Sequence, residues 1–445
     1  MPTLVTSSRI RARLLVAMLC SLPLAPSLAA QQTTSVSLEE ALRLAERVQP
    51  LVISAQANLR DAGAQVTAAR GQFLPQVGAS SNLGTSFAGI PSRVDPTTGQ
   101  PISGSSNSTL SAGLSASVDL FTGFRRGADL RAAHATEDAA TAGLVDSRYQ
   151  VRLTTTQQFF SALAAVELTR VREASVERAQ EQLKISIAKL AAGSATRADS
   201  LQSLVTLGTA QLDLISTRAA TTQAEASLAR LIGADGLASA KDDSAFYHVV
   251  GPVDTAALQQ EAASRSPQVQ SAIASASAAR ANLASARSAY WPTLSLGGST
   301  NWNGSTSRGG PVTDLFNQRQ VNLTLSWALF NRFNRETNIT IREGGLDLAE
   351  ATSVDTRRQV TSALTGQLAL LQAAVAEIDI TNTSVSAAEE NLRVQRERYR
   401  VGVATIVDVL TAQEALTQAE VNVVNARFDY LRAKAQIEAL IGRSL

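Results

Sequence analysis

Two stretches 209 residues apart read alike, and this duplication limits the folds open to the 445-residue chain more than any other feature. Residues 189–201 and 398–410 share Gly193/Gly402, Ala195/Ala404, Thr196/Thr405, Asp199/Asp408 and Leu201/Leu410 in register. Extended without a gap, 193–233 against 402–442 gives 13 identities in 41 positions, closing on Leu231-Ile232-Gly233 and Leu440-Ile441-Gly442. Alanine richness alone would not bring Gly, Asp and Arg into step, so the pattern marks an internal duplication. In each copy a helical pattern runs into a glycine able to take the left-handed conformation that ends a helix. Three residues on, a threonine is placed to cap the next helix, and the aspartate after it suits an electropositive first turn. Each copy is a reversal between two helices.

The rest of each half follows one plan. Ser37-Leu38-Glu39-Glu40 resembles a capping box and opens a short helix to Val48; Pro50 begins an alanine-rich second helix that Leu74-Pro75 stops after Phe73. From Gln76 the period drops to two. Val77, Ala79, Leu83 and Phe87 alternate with polar or glycine positions, as do Leu110, Leu114, Val118 and Leu120 on the return. Residues 89–107 between them, rich in Gly, Pro, Ser and Thr, read as an exposed loop. No proline interrupts Gly123 to Ala191, which predicts a rod of roughly 100 Å at about 1.5 Å per residue. A helix from about Thr196 to Ile232 returns, with Leu201, Leu204, Val205, Leu212 and Ile215 as its expected seam.

After a link the plan restarts, with Pro267 and Pro292 standing 217 residues beyond Pro50 and Pro75. The second hairpin carries Leu294, Leu296 and Trp302, then Val321, Leu323, Leu325, Trp327 and Leu329 in alternation. A long helix from about Arg332 to Arg400 has a coiled-coil seam at Val360, Leu364, Leu368, Leu371, Val375 and Ile378. The expected organisation is a signal peptide (1–29), a first repeat (30–233: helices 37–73, β-hairpin 76–121, helical hairpin 123–232), a linker (234–253) and a second repeat (254–445: helices 254–290, β-hairpin 293–330, helical hairpin 332–442).

The signal peptide is inferred from Arg9, Arg11 and Arg13 ahead of an apolar run that closes on Ser27-Leu28-Ala29. Pro23 and Pro26 break that run, which argues against a membrane anchor. The single cysteine, Cys20, falls inside it and follows Leu19, not the small residue a lipoprotein would need, so the mature chain has no disulfide or thiolate site. Removing three arginines leaves 37 basic against 38 acidic residues, a balance that carries no nucleic-acid footprint. His134 and His248 have no ligand spacing, and no GxSxG elbow or phosphate loop is present, so no catalytic, metal or cofactor-binding residue is expected.

Four strands of about ten residues with one apolar face match what a lipid-embedded barrel needs. Four cannot close one, and open edges in lipid leave backbone groups unpaired, so several chains must share a barrel. Two chains would give eight strands and three would give twelve; three is favoured because a polar-lined helical tube needs many helices in its wall. Phe73, Phe121, Tyr290, Trp291, Trp327 and Phe330, with Phe124 and Phe333, cluster where strands meet helices, the position of an interfacial girdle. They also read as core residues at element junctions.

The duplicated plan, the Tyr399-x-x-Gly402 turn and Thr405-Ile406-Val407-Asp408-Val409-Leu410 resemble the TolC-type outer-membrane efflux channels of Gram-negative bacteria, over nearly all of the mature chain. The resemblance implies a mostly α fold with a β-barrel part: a homotrimer with a 12-stranded outer-membrane barrel in lipid above a long periplasmic helical tunnel. It implies docking on a periplasmic adaptor (membrane fusion) protein, which links it to an inner-membrane transporter in tripartite efflux or type I secretion. It places Gly193 and Gly402 at the periplasmic tips, Asp408 in a carboxylate ring at the entrance with Asp199 assisting, and Tyr399 among the residues tying hairpins together. Some relatives carry Arg where this chain has Ala404 and a second Asp where it has Thr411. Read without the resemblance, Asp199 and Asp408 are first-turn carboxylates answering the helix dipole, and Tyr399 is ordinary packing. The competing function is a secreted or surface structural coiled coil without a pore.

Overall fold

The computed structural model describes residues 33–87, 97–99, 106–247, 254–307, 312 and 314–445. The signal-peptide segment with Cys20, most of the 89–107 loop, and His248 lie outside the described residues. The first half runs β1 (Thr33–Val36), α1 (Leu38–Val48), α2 (Pro50–Gly71), β2 (Gln76–Phe87), β3 (Ser106–Phe121), α3 (Arg125–Ala191), α4 (Arg197–Ile232) and β4 (Leu237–Ala240). The second runs α5 (Thr255–Arg265), α6 (Pro267–Arg287), β5 (Thr293–Ser307), β6 (Phe316–Ser326), α7 (Asn334–Arg400) and α8 (Ile406–Ile441).

The two rods, α3 and α7, are each 67 residues long, and α4 and α8 each run 36 residues back along them. At about 1.5 Å per residue the rods span roughly 100 Å. α2 and α6 start on Pro50 and Pro267, where the missing amide hydrogen costs nothing, and lie along the strand-proximal ends of the rods.

The strands form one antiparallel sheet in the order β2-β3-β5-β6, so the two hairpins join through β3 and β5. Its register puts the alternating apolar residues on one face: Val77 opposite Ala116, Ala116 opposite Gly298, Gly298 opposite Val321, with Val118, Leu296 and Leu323 in the next row. Among the described residues, Val312 and Leu315 lie against that face at Gly304, while Val77, Leu83, Val321 and Leu325 are 72, 72, 80 and 69% exposed. β2 and β6 are left as edges.

One core lies at mid-height and draws on both repeats. Phe159 and Leu163 of α3, Leu228 and Ile232 of α4, Val360 and Leu364 of α7, and Phe428 and Ile437 of α8 meet there. Of the α7 seam, Val360, Leu364, Leu368 and Leu371 are buried as the heptad pattern predicts, while Val375 and Ile378 are half-buried at its edge.

Four expectations need correcting. The 234–253 link contains β4, which pairs in parallel with β1 and buries Val36 and Ala238 in the core; neither four-residue strand is long enough to show a period. The proposed α4 seam is outward: Leu201, Leu204, Val205, Leu212 and Ile215 are 52–68% exposed, while Ser203 and Ala210 face α3 because small side chains let two helices approach closely. β6 stops at Ser326, since β5 begins at Thr293 and offers no partner beyond it, so Trp327 and Leu329 belong to the connection and not to the strand. The helical segments start later than 123 and 332 because Phe124 (φ 65°), Arg332 (φ 58°) and Phe333 (φ 61°), with Gly123, are left-handed and turn the chain from strand to helix.

Candidate functional site

The sites singled out by the sequence fall at two levels, the helical tips and the strand–helix junction. At the tips α3 ends and Gly193 (φ 73°) turns the chain; at the equivalent place after α7 Gly402 (φ 82°) does the same. Neither glycine has a neighbour within 4 Å of a built Cβ, so the backbone conformation and not crowding demands glycine there.

Both returning helices start on a reciprocal cap. Thr405 N–H and Thr405 Oγ1 each donate to Asp408 Oδ2 at 2.8 Å, and Asp408 N–H donates to Thr405 Oγ1 at 3.3 Å. Thr196 N–H donates to Asp199 Oδ2 at 3.1 Å, and Asp199 N–H to Thr196 Oγ1 at 3.3 Å. Each aspartate replaces water as partner to an orphan amide of the first turn. The Thr405 amide and then its hydroxyl hold the Asp408 carboxyl below the usual carboxylate range, with Arg398 adding a smaller pull. Asp408 remains exposed, and Thr411 lies one turn further along the same face, also exposed.

The two tips are built differently. The α7–α8 tip has an apolar core of Leu392, Tyr399, Ile406, Val409, Leu410 and Leu416, against which Ala404 packs. The α3–α4 tip is lined with polar groups: Gln182, Ser186 and Ser203 are at most 2% exposed, and Ser186 Oγ lies 2.9 Å from Ser203 Oγ. Tyr399, 6% exposed, comes against this second seam. Burial pushes its phenol above the usual tyrosine range, the neighbouring Ser186 hydroxyl opposes the rise and Asp199 adds to it. The phenol nonetheless completes no hydrogen bond of good geometry; Ser186 is engaged by Gln182 and Ser203.

Sequence reasoning missed the groups that join the hairpins. Lys189 donates to the Tyr399 carbonyl and stands 4.1 Å from the Tyr399 ring centroid. Higher up, Arg178 forks onto Glu420 at 2.7 and 3.0 Å and donates to Thr417 at 3.1 Å. The only sequence signal for Lys189 is that it shares a repeat position with Arg398, and a helix-end cation has an ordinary explanation in the dipole.

At the junction, Phe73, Tyr290, Trp291, Trp327 and Phe330 are 46, 45, 56, 60 and 71% exposed, so they are not core residues of the protomer. Phe121 is half-buried and meets Phe124 edge-to-face at 5.4 Å; Phe330 and Phe333 repeat that contact at 5.4 Å. The Arg126 guanidinium lies 5.0 Å from the Phe73 ring and Arg335 lies 4.0 Å from Tyr290, while Trp327 Nε1 donates to the Tyr290 carbonyl at 3.2 Å. The duplication has copied the junction down to its cation–ring contact.

Comparison with known proteins agrees with this architecture. The model of the outer membrane efflux protein family matches residues 41–234 and 258–443. The chain is 25% identical to the outer membrane protein TolC of Escherichia coli (strain K12) over 315 residues, 68% of this chain and 64% of that protein, so the match spans under two thirds of that relative. It is 24% identical to the outer membrane efflux protein BepC of Brucella suis biovar 1 (strain 1330) over 420 residues, 94% of this chain and 87% of that protein. Among solved structures, CusC, described as forming a transmembrane channel, superposes with a TM-score of 0.77 at 18% identity, covering 92% of each chain, and so shares the fold. Matched along both repeats, the chain belongs to the outer membrane efflux protein family.

Proposed function

We propose that the chain is the outer-membrane exit duct of a tripartite efflux or secretion complex, passing small molecules or proteins out of a Gram-negative cell without chemistry of its own. The observation that carries this is a four-stranded sheet with a largely exposed apolar face and two edges unpaired among the described residues, set on rods of roughly 100 Å. In lipid an open edge strands its amides and carbonyls, so the sheet is completed by β2 and β6 of neighbouring copies. Three copies give twelve strands, and the α3–α4 and α7–α8 hairpins then form the tunnel wall.

The outward Leu212 and Ile215 of α4, and an 18-residue window of α7 with mean hydropathy 1.2 that is only 22% buried, supply apolar surface for contacts between copies. The signal peptide delivers the chain for assembly, and the exposed aromatics at the junction sit at the headgroup level. The tips at Gly193 and Gly402 face the periplasm and meet the adaptor, which connects to an energised inner-membrane transporter. Asp408, with Asp199 behind it and Thr411 beside it, lines the entrance; Ala404 removes the arginine that would pair with them, so contacts within the protomer take a larger share in holding the entrance shut.

Conductance of the purified protein in planar bilayers tests the reading. A pore whose conductance rises in Asp408→Ala supports it. A freely soluble mature protein that forms no pore would sink it and favour the structural coiled coil.

A further inference from the structure

The duplication predicts equivalent roles for Lys189 and Arg398, which occupy the same position in the two copies. The structure separates them. Arg398 stays within its own hairpin, donating to Gln395 at 3.5 Å and acting on Asp408, whereas Lys189, half-buried, crosses to the other hairpin. Its ammonium donates to the Tyr399 carbonyl and lies 4.1 Å from the centre of the Tyr399 ring. Tyr399 too has no copy: the first repeat has Leu190 there, exposed at the tip.

We propose that Lys189 is the positioning residue that keeps the two tips together, acting through the carbonyl and ring face of Tyr399 and not through its hydroxyl. Three features of the site lead there. The Tyr399 carbonyl belongs to the last turn of α7, where the helix dipole is negative; it accepts from Gly402 N–H at 3.2 Å and keeps a second lone pair for the ammonium. The ring face offers the same cation a second, partly desolvated contact. The hydroxyl, in contrast, is buried beside Ser186 and completes no hydrogen bond of good geometry among the described residues.

The tie also has a mechanical reason. The α3–α4 tip closes on Gln182, Ser186 and Ser203, which lend it less apolar stabilisation than the core under Tyr399 and Ile406 gives the α7–α8 tip. Along α3 the next charged side chain hydrogen-bonded across to the other hairpin is Arg178, eleven residues back and roughly 16 Å up the rod. Lys189 is therefore the charged tie of the last three turns of α3 to the other hairpin among the described residues.

This rests on the duct reading for its consequence, that the tie keeps the entrance narrow, but its structural half is testable separately. Lys189→Met keeps the stem and loses charge and donors; Lys189→Arg keeps both; Tyr399→Phe removes only the hydroxyl; Tyr399→Leu removes the ring. Hydrogen exchange on the detergent-solubilised full-length protein should show amides 183–200 exchanging at least about tenfold faster in Lys189→Met, the scale of a lost charge-assisted hydrogen bond. Lys189→Arg should restore protection, Tyr399→Phe should match wild type, and amides around Phe159 should be unchanged in all four. In planar bilayers Lys189→Met and Tyr399→Leu should conduct more than wild type, and Tyr399→Phe should not. Unchanged exchange in Lys189→Met, or an equal loss in Tyr399→Phe, overturns the assignment. A wild type that forms no pore while the exchange pattern holds leaves the tie standing and removes the duct.

Discussion

Replacing Glu420 with alanine tests whether the hairpins are held as independent rods or as one wall. Glu420 Oε1 and Oε2 take both arms of the Arg178 guanidinium at 3.0 and 2.7 Å, with side-chain exposures of 21 and 18%. Arg178 also donates to Thr417, and its carbonyl accepts from Gln413 at 3.3 Å, so the pair is the centre of a small network between α3 and α8. Glu420→Ala leaves a guanidinium whose Nε already lacks a partner. Arg396 sits close enough that, after burial, the Arg178 charge is what lowers its own proton affinity, so the loss also unmasks a repulsion.

Exposed pairs contribute about 0–1 kcal/mol, and stripping one partner from a fully buried pair costs about 3–5 kcal/mol. At roughly one-fifth exposure the cost falls between, about 2 kcal/mol, or roughly a 30-fold rise in local opening. Native-state hydrogen exchange of amides 172–182 and 413–423 in detergent measures it. Arg178→Met combined with Glu420→Leu should recover most of the protection, because no charge is then stranded. Unchanged protection in the single variant, or a double variant worse than the single, would refute the reasoning.

Other outcomes follow from particular contacts. Gly233 is left-handed (φ 69°) and an added Cβ would stand 2.7 Å from Val48 Cγ1, so Gly233→Ala should lower the Tm of the assembled protein by an amount equivalent to about 1–3 kcal/mol; Val48→Ala should return only the steric part. Phe428→Ala empties a site 1% exposed and should cost about 3–5 kcal/mol, read as loss of folded protein in the outer membrane. Leu212→Asp touches a side chain 68% exposed in the protomer, so secondary structure should be unchanged while the heat-modifiable trimer band on gels weakens. Asp408 is held below its ordinary pKa of 3.8, so its cap is fully present above 3.8 and lost as the pH falls through the lower folded value; fraying of 405–409 by exchange should begin only there, and Asp408→Asn should abolish that acid step.

The long helices, the reversals at Gly193 and Gly402, the capping pairs Thr196–Asp199 and Thr405–Asp408, and the apolar face of the strands were all legible in the residues. Each depends on a local period or on dihedral preference, and the duplication stated most of them twice. Proline spacing marked where helices hand over to strands for the same reason. What the sequence did not reveal lies between elements. β1 and β4 are four residues each and find each other across two hundred residues. The large side chains of α4 looked like a seam but face outward, because a helix carries more than one apolar stripe and only the packed neighbour decides which is inside.

Neither Lys189, whose repeat mate Arg398 stays within its own hairpin, nor Arg178 carries a pattern that points to its partner. Their partners, Tyr399 and Glu420, are more than 200 positions away, and one cation among forty basic residues is indistinguishable from a solvated helix face until two rods are laid side by side. Periodicity specifies an element because it acts within a few residues along one chain direction. A tie between hairpins acts across space, so it is determined only by how the rods are rotated and in what register they pack.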